Sequence, residues 1–225
     1  MENIKVITTI FDTPLTNHEN ECLRGAIIEK LSDTENPLVH NHLNREGALR
    51  YDYPLVQYKN INEQAAIVCL GEGTKVIEEL ISRCDLSFMI GTRSVQMQIK
   101  ELNPTFFVPQ ISEQGFYYRI TRWQALNSGN YQTYKELVAL TDKIRFLEKI
   151  LSGHILALYR GLGICVNVKI DCSLTKLSDP YTDKYKGITT TLFNIEFITN
   201  LSLPLNGGLG KGTSIGFGII NELKP

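Results

Sequence analysis

Apolar positions along the chain follow two periods, and the switches between them divide it into elements. From residue 4 to 11, Ile4, Val6, Thr8 and Ile10 share one side of an extended segment, the two-residue repeat of a half-buried strand. Residues 17–31 change to a four-residue step, Leu23, Ile27 and Leu31, which is a helical stripe. The β-rich runs 53–59 and 65–70 flank Asn60-Ile61-Asn62-Glu63 and predict a hairpin. Gly71-Glu72-Gly73 then breaks the chain, Thr74 is placed to cap a helix reaching about Arg83, and Val95, Met97 and Ile99 alternate as a further strand. This order, β-α-β-β-α-β, is that of a ferredoxin-like unit.

Asn103-Pro104 and Val108-Pro109 suggest a linker, after which the pattern restarts. Phe116, Tyr118, Ile120 and Arg122 lie in a strand. A long helix over 131–151 carries Leu137, Leu140, Ile144, Leu147 and Leu151, and Gly153 is expected to bend it into a short second helix. Strands follow over 165–172 and 188–200, with an irregular segment between them. Where a second helix belongs there is instead Leu205-Asn206-Gly207-Gly208-Leu209-Gly210-Lys211-Gly212-Thr213, and then a closing strand over 214–220. The expected fold is α+β: two tandem ferredoxin-like (RRM-like) domains, 1–108 and 109–225, with antiparallel sheets carrying helices on one face and a C-terminal glycine-rich loop.

Composition narrows the setting. Of 225 residues, 43% are hydrophobic and 21% charged, which is ordinary for a globular chain and excludes disorder. No apolar run approaches the roughly 18 residues of a membrane span and the start carries no signal-peptide core, so a soluble cytoplasmic protein is expected, without a membrane partner. Five widely spaced cysteines without C-x-x-C encode neither a disulfide framework nor a zinc site. The net charge of −1 hides an asymmetry: residues 1–112 hold 10 Lys and Arg against 15 Asp and Glu, and residues 113–225 hold 13 against 9. A basic second half hints at an anionic partner.

Six of the 17 glycines fall within residues 207–218. G-x-x-x-x-G-K-[ST] fails because its first glycine would be Leu205, and G-x-G-x-x-G fails at Thr213. Two readings stay open: a nest of main-chain N–H groups around an anion, with Lys211 beside it, or a loop whose glycines permit positive φ. Among the four histidines, His18 and His154 read as structural. His40 and His42 sit in a polar stretch between helix and strand. In an extended segment their Cα atoms would be about 6.5–7 Å apart, enough to span a scissile phosphate as general base and general acid. Tyr51, Tyr53, Arg45 and Arg50 lie nearby. H-x-H is also a metal-ligand spacing, with Asp52 as a third ligand, although no H-E-x-x-H is present.

Together the His-x-His segment, the run 53–59, the run 65–73 and Gly207-Gly208-Leu209-Gly210-Lys211-Gly212-Thr213-Ser214-Ile215-Gly216-Phe217-Gly218 resemble the CRISPR-associated repeat-processing endoribonucleases of the RAMP superfamily, in their paired-histidine subgroup. The resemblance implies metal-independent cleavage of CRISPR precursor RNA: the 2′-hydroxyl attacks the adjacent phosphate and the 5′-oxygen leaves. It implies His40 and His42 as the catalytic pair, with Tyr51 and Lys30 beside them and no cofactor or metal. RNA contacts would come from Gly207, Gly208, Gly210, Lys211, Gly212, Gly216 and Gly218, and from Arg119, Arg122, Lys184 and Lys186. The implied partner is CRISPR repeat RNA; further effector subunits and a homodimer stay open. So do two other readings, a non-catalytic RNA-binding subunit and a metal-dependent hydrolase.

Overall fold

The structure, a computed structural model, describes residues 3–32, 53–185 and 187–223. They fall into two compact units: residues 2–107 with 214–216, and residues 108–213 with 217–225.

The N-terminal unit runs β1 (Ile4–Pro14), α1 (Asn20–Lys30), β2 (Val56–Ile61), β3 (Gln64–Leu70), α2 (Thr74–Arg83), a hairpin of β4 (Ser87–Ile90) and β5 (Arg93–Gln96), and β6 (Ile99–Phe107). Its antiparallel sheet has the order β2-β3-β1-β6, the strand order of the expected ferredoxin-like unit. The helical stripe is real: Leu23 and Ile27 of α1, Leu31 directly after it, and Val76, Ile77 and Leu80 of α2 pack with Ile7, Phe11, Tyr58 and Ile67 into one core. Alternation in β1 predicts a half-buried strand, yet it is buried on both faces, Ile4, Val6, Ile7, Ile10 and Phe11 alike. Two other expectations fail here. The alternation at Val95, Met97 and Ile99 spans two strands, because β5 pairs back on β4. Asn103-Pro104 is no linker but lies inside β6, an edge strand. There a proline needs no ladder partner on its open side.

The C-terminal unit runs β7 (Ile111–Trp123), α3 (Ser128–Glu136), α4 (Leu140–Gly161), β8 (Cys172–Leu177), β9 (Tyr181–Tyr185), β10 (Ile188–Leu201) and β11 (Ile219–Glu222). Sheet order is β11-β7-β10-β8, the same arrangement again, while β9 pairs with the first half of β10 as a separate hairpin. From α4, Leu147, Leu151, Ile155 and Leu158 are fully buried, at steps of four, four and three. Helix geometry differs from the expectation at Gly153, which lies inside an unbroken α4 with open space around it. The break comes instead before Leu140, where Ala139 is extended at φ −73°, ψ 134°. The expected strand over 165–172 begins only at Cys172, and the segment expected to be irregular contains β9. Residues 205–212 form no helix, as expected; a single 3₁₀ turn, Thr213–Ile215, precedes β11. Among the described residues no helix is long and apolar enough to cross a membrane.

Candidate functional site

His40, His42 and Tyr51 lie outside the described residues, as do Lys186, Arg45, Arg50 and Asp52. The described chain brackets the histidine segment between α1 and β2. Lys30, the last residue of α1, is engaged: its Nζ sits 2.6 Å from Asp85 Oδ1 and 6.0 Å from the Phe88 ring centroid. The same Asp85 oxygen accepts the Ser87 N–H at 3.0 Å. Its hydrogen bonds from Lys30 and then Ser87 hold the carboxyl below the usual range.

Sequence reasoning missed Lys59. Gln57 and Lys59 alternate with Val56 and Tyr58 along β2, which reads as a solvent-facing pair, yet all four are buried. Burial brings the Lys59 ammonium down to about 7, because the charged form is the one desolvation disfavours.

The glycine loop is built by backbone hydrogen bonds and close packing. Asn206 N–H donates to Ile220 O and Ile220 N–H to Gly207 O, both at 2.9 Å; Leu209 N–H donates to Gly218 O at 2.9 Å. Lys211 N–H reaches Gln124 O at 3.1 Å and Gly218 N–H reaches Arg122 O at 3.0 Å. The loop is therefore laced onto the end of β7, and these donors are spent inside the protein. A side chain at Gly210 would come within 2.9 Å of the Trp123 ring and of Gln124 O, and one at Gly218 would run into the backbone of Leu209. Gly207, Gly208, Gly216 and Gly218 are buried, whereas Gly210 and Gly212 are partly exposed and Lys211 is exposed. Residues 214–216 belong to the N-terminal unit, where Asn20 Nδ2 donates to Ile215 O at 3.1 Å.

Beneath the loop, Trp123 Nε1–H donates to His154 Nδ1 at 3.2 Å. Burial lowers His154 to about 4, so near neutral pH it is an uncharged acceptor, the structural histidine that its apolar helix predicts.

The basic candidates are held in different ways. Arg119 on β7 lies directly opposite Glu196 on β10 and gives its Nε and Nη2 to Oε1 at 3.1 and 2.6 Å, with Lys176 3.8 Å from the same carboxylate. Lys184 is exposed on β9. Arg122 is largely covered, its Nη2 2.9 Å from Asp183 Oδ2 and its guanidinium carbon 4.9 Å from the Phe217 ring centroid. In one unit the structure thus gathers Lys211, Arg122 and the strand carrying Lys184 around the glycine loop. Among the described residues no three His, Cys, Asp or Glu side chains are grouped to hold a metal ion.

Comparison with known proteins places this geometry. Residues 2–106 match the Cas6b N-terminal domain and residues 110–223 the Cas6b C-terminal domain. A protein of Methanocaldococcus jannaschii described as uncharacterized is 40% identical over 101 residues, 45% of this chain and 67% of its own length. A crystal structure of Cas6b superposes with a TM-score of 0.86 at 24% identity, covering 99% of this chain and 100% of that one. A second, titled a CRISPR RNA processing endoribonuclease Cas6b, gives 0.75 at 23% identity with the same coverage. With both halves matched, the chain belongs to the Cas6b family of CRISPR-associated RNA-processing proteins.

Proposed function

We propose that the protein cuts CRISPR precursor RNA within its repeats, without a metal ion, by transesterification. The observation that carries this reading is the match of both halves of the chain to Cas6b domains. The glycine loop closing a ferredoxin-like unit and the basic balance of residues 113–225 support an RNA ligand.

In the proposed reaction one of His40 and His42 takes the proton of the 2′-hydroxyl as its oxygen attacks the neighbouring phosphorus. The other gives a proton to the departing 5′-oxygen. A P–O2′ bond forms and the P–O5′ bond breaks, leaving a 2′,3′-cyclic phosphate and a 5′-hydroxyl with no water consumed. Tyr51 donates a hydrogen bond to the charged phosphorane, and Lys30, ten residues before His40, adds positive charge where it develops. Lys211, Lys184, Lys186 and Arg119 contact the repeat backbone, and the partly exposed Gly210 and Gly212 let it approach the loop.

The test is incubation of labelled repeat RNA with the protein in excess EDTA, beside His40→Ala, His42→Ala and a substrate with a single 2′-deoxy at the cut site. A discrete cut by the wild type alone, blocked by the 2′-deoxy, is the expected result. Binding without cleavage from pH 6 to 9 would make the protein an RNA-binding subunit. Cleavage abolished by EDTA would make it a metal-dependent hydrolase.

A further inference from the structure

Arg122 occupies an expensive position. The β7–β10 ladder pairs Ile120 with Ile195 and Trp123 with Phe193, so Thr121 and Arg122 together face Asn194 alone. This is a bulge, a feature that re-aims a side chain. Arg122 takes φ +54°, the left-handed region that residues other than glycine rarely adopt. Its Nε–H is buried and, among the described residues, has no hydrogen-bond partner. A surface cation meant only to touch a phosphate needs none of this.

The bulge brings four connections to one residue. The Arg122 N–H donates to Asn194 Oδ1 at 2.9 Å instead of to a ladder carbonyl, and Tyr181 of β9 donates its hydroxyl to the same oxygen at 3.4 Å. The Arg122 carbonyl accepts the Gly218 N–H. The guanidinium bonds Asp183 of β9 on one side and stacks on Phe217 of the loop on the other. Lys184 follows Asp183 directly, and Lys211 is bonded to Gln124, two residues beyond Arg122.

We propose that Arg122 is a positioning residue that locks the β9–β10 hairpin to the glycine loop, so that Lys184 and Lys211 are presented together to RNA. The role of the surface rests on the function proposed above; the lock itself does not. Neutralising Asp183 separates the alternatives by sign. If Arg122 were a phosphate ligand, Asp183→Asn would free its charge and remove a repelling carboxylate, and repeat RNA would bind equally well or more tightly. If Arg122 is the lock, Asp183→Asn weakens binding by about tenfold, the scale of one charge-assisted hydrogen bond.

The experiment measures repeat-RNA affinity and single-turnover cleavage at saturating protein for Asp183→Asn, Arg122→Lys and Phe217→Leu, together with amide hydrogen exchange of each free protein. The expected result is weaker binding in all three with the bound-state cleavage rate within about twofold of wild type. Exchange should rise in both β9 and residues 209–218. Binding that is unchanged or tighter in Asp183→Asn, full retention in Arg122→Lys, or exchange that rises in β9 alone overturns the proposal. Phe217→Leu keeps the ion pair and serves if the charge variants fail to fold. A wild type that binds no repeat RNA would defeat the functional reading while the exchange comparison still decides the lock.

Discussion

Replacing Gly218 by alanine tests whether the glycine loop is a packed structural element. Gly218 has φ +67°, where an L-residue pays about 1–2 kcal/mol. Its new methyl would collide with the carbonyl oxygen of Leu209 and lie 2.9 Å from its carbonyl carbon and 3.1 Å from its nitrogen. Backbone cannot rotate away as a side chain can, so the two segments must part. That separation removes the Leu209 N–H to Gly218 O bond, worth about 1 kcal/mol, and part of the burial of Leu209, which is fully enclosed, about 1 kcal/mol more. The sum is about 3–4 kcal/mol, a fall of roughly 15 °C in the melting point of a unit this size. Gly212 shares φ +67°, but its methyl would meet chiefly the Phe217 ring, 2.6 Å away, and that ring can turn. Gly212→Ala should therefore cost only about 1–2 kcal/mol, mostly backbone strain. Fluorescence of the chain's one tryptophan, Trp123, reports this unit's unfolding directly. A Gly218→Ala melting point within about 3 °C of wild type, or equal to that of Gly212→Ala, would refute the reasoning.

Gly153→Ala should act in the opposite direction, raising stability by about 0.5–1 kcal/mol, since the helix around it leaves space for a methyl; denaturant titration will show it. Lys59 predicts a pH dependence. The unfolded chain keeps this proton up to its ordinary 10.5 while the folded one releases it near 7, so between pH 7 and 9 the unfolded state binds more protons and stability rises with pH, by at most about 1.4 kcal/mol per unit. Melting curves of Lys59→Met should lack that rise; the window stops below the titration of Cys69, whose thiol burial pushes up to about 12. His154 predicts loss of stability on acidification. From pH 6.5 down towards 4 only the unfolded chain accepts its proton, and the acid limb of a Trp123 fluorescence titration should shift downward in His154→Phe.

Elements with a buried stripe could be read directly from the chain. Leu23, Ile27 and Leu31 predict α1 because the four-residue step is the helix's own geometry, and Leu147 and Leu151 mark α4 for the same reason. What could not be read depended on neighbours distant in sequence. Pro104 looks like punctuation until β6 proves to be an edge strand, and Lys59 looks like a surface residue until its face of the sheet is covered. Gly153 misleads because a glycine inside a helix weakens it without forcing a bend. The density of glycines at 207–218 was visible, but not its reason at Gly210 and Gly218, which is room for Trp123 and for the Leu209 backbone. Arg122 was visible as a charge; its bulge and its partners Asp183 and Phe217 were not, since only the register of β7 against β10 creates them.

The main sheet of each unit is completed by a strand far along the chain from the one it joins. In the N-terminal unit Ile4 pairs with Phe107, and in the C-terminal unit Ile120 pairs with Ile220, so about a hundred residues separate the partners in both cases. Such pairings form late, because the entropy of closing a long loop must be met before any ladder bond rewards it. Until β6 and β11 arrive, β1 and β7 each present an open edge that could pair with another molecule. Refolding should accordingly be slow and its yield should fall with protein concentration, with the open edges of β1 and β7 setting the competition between folding and aggregation.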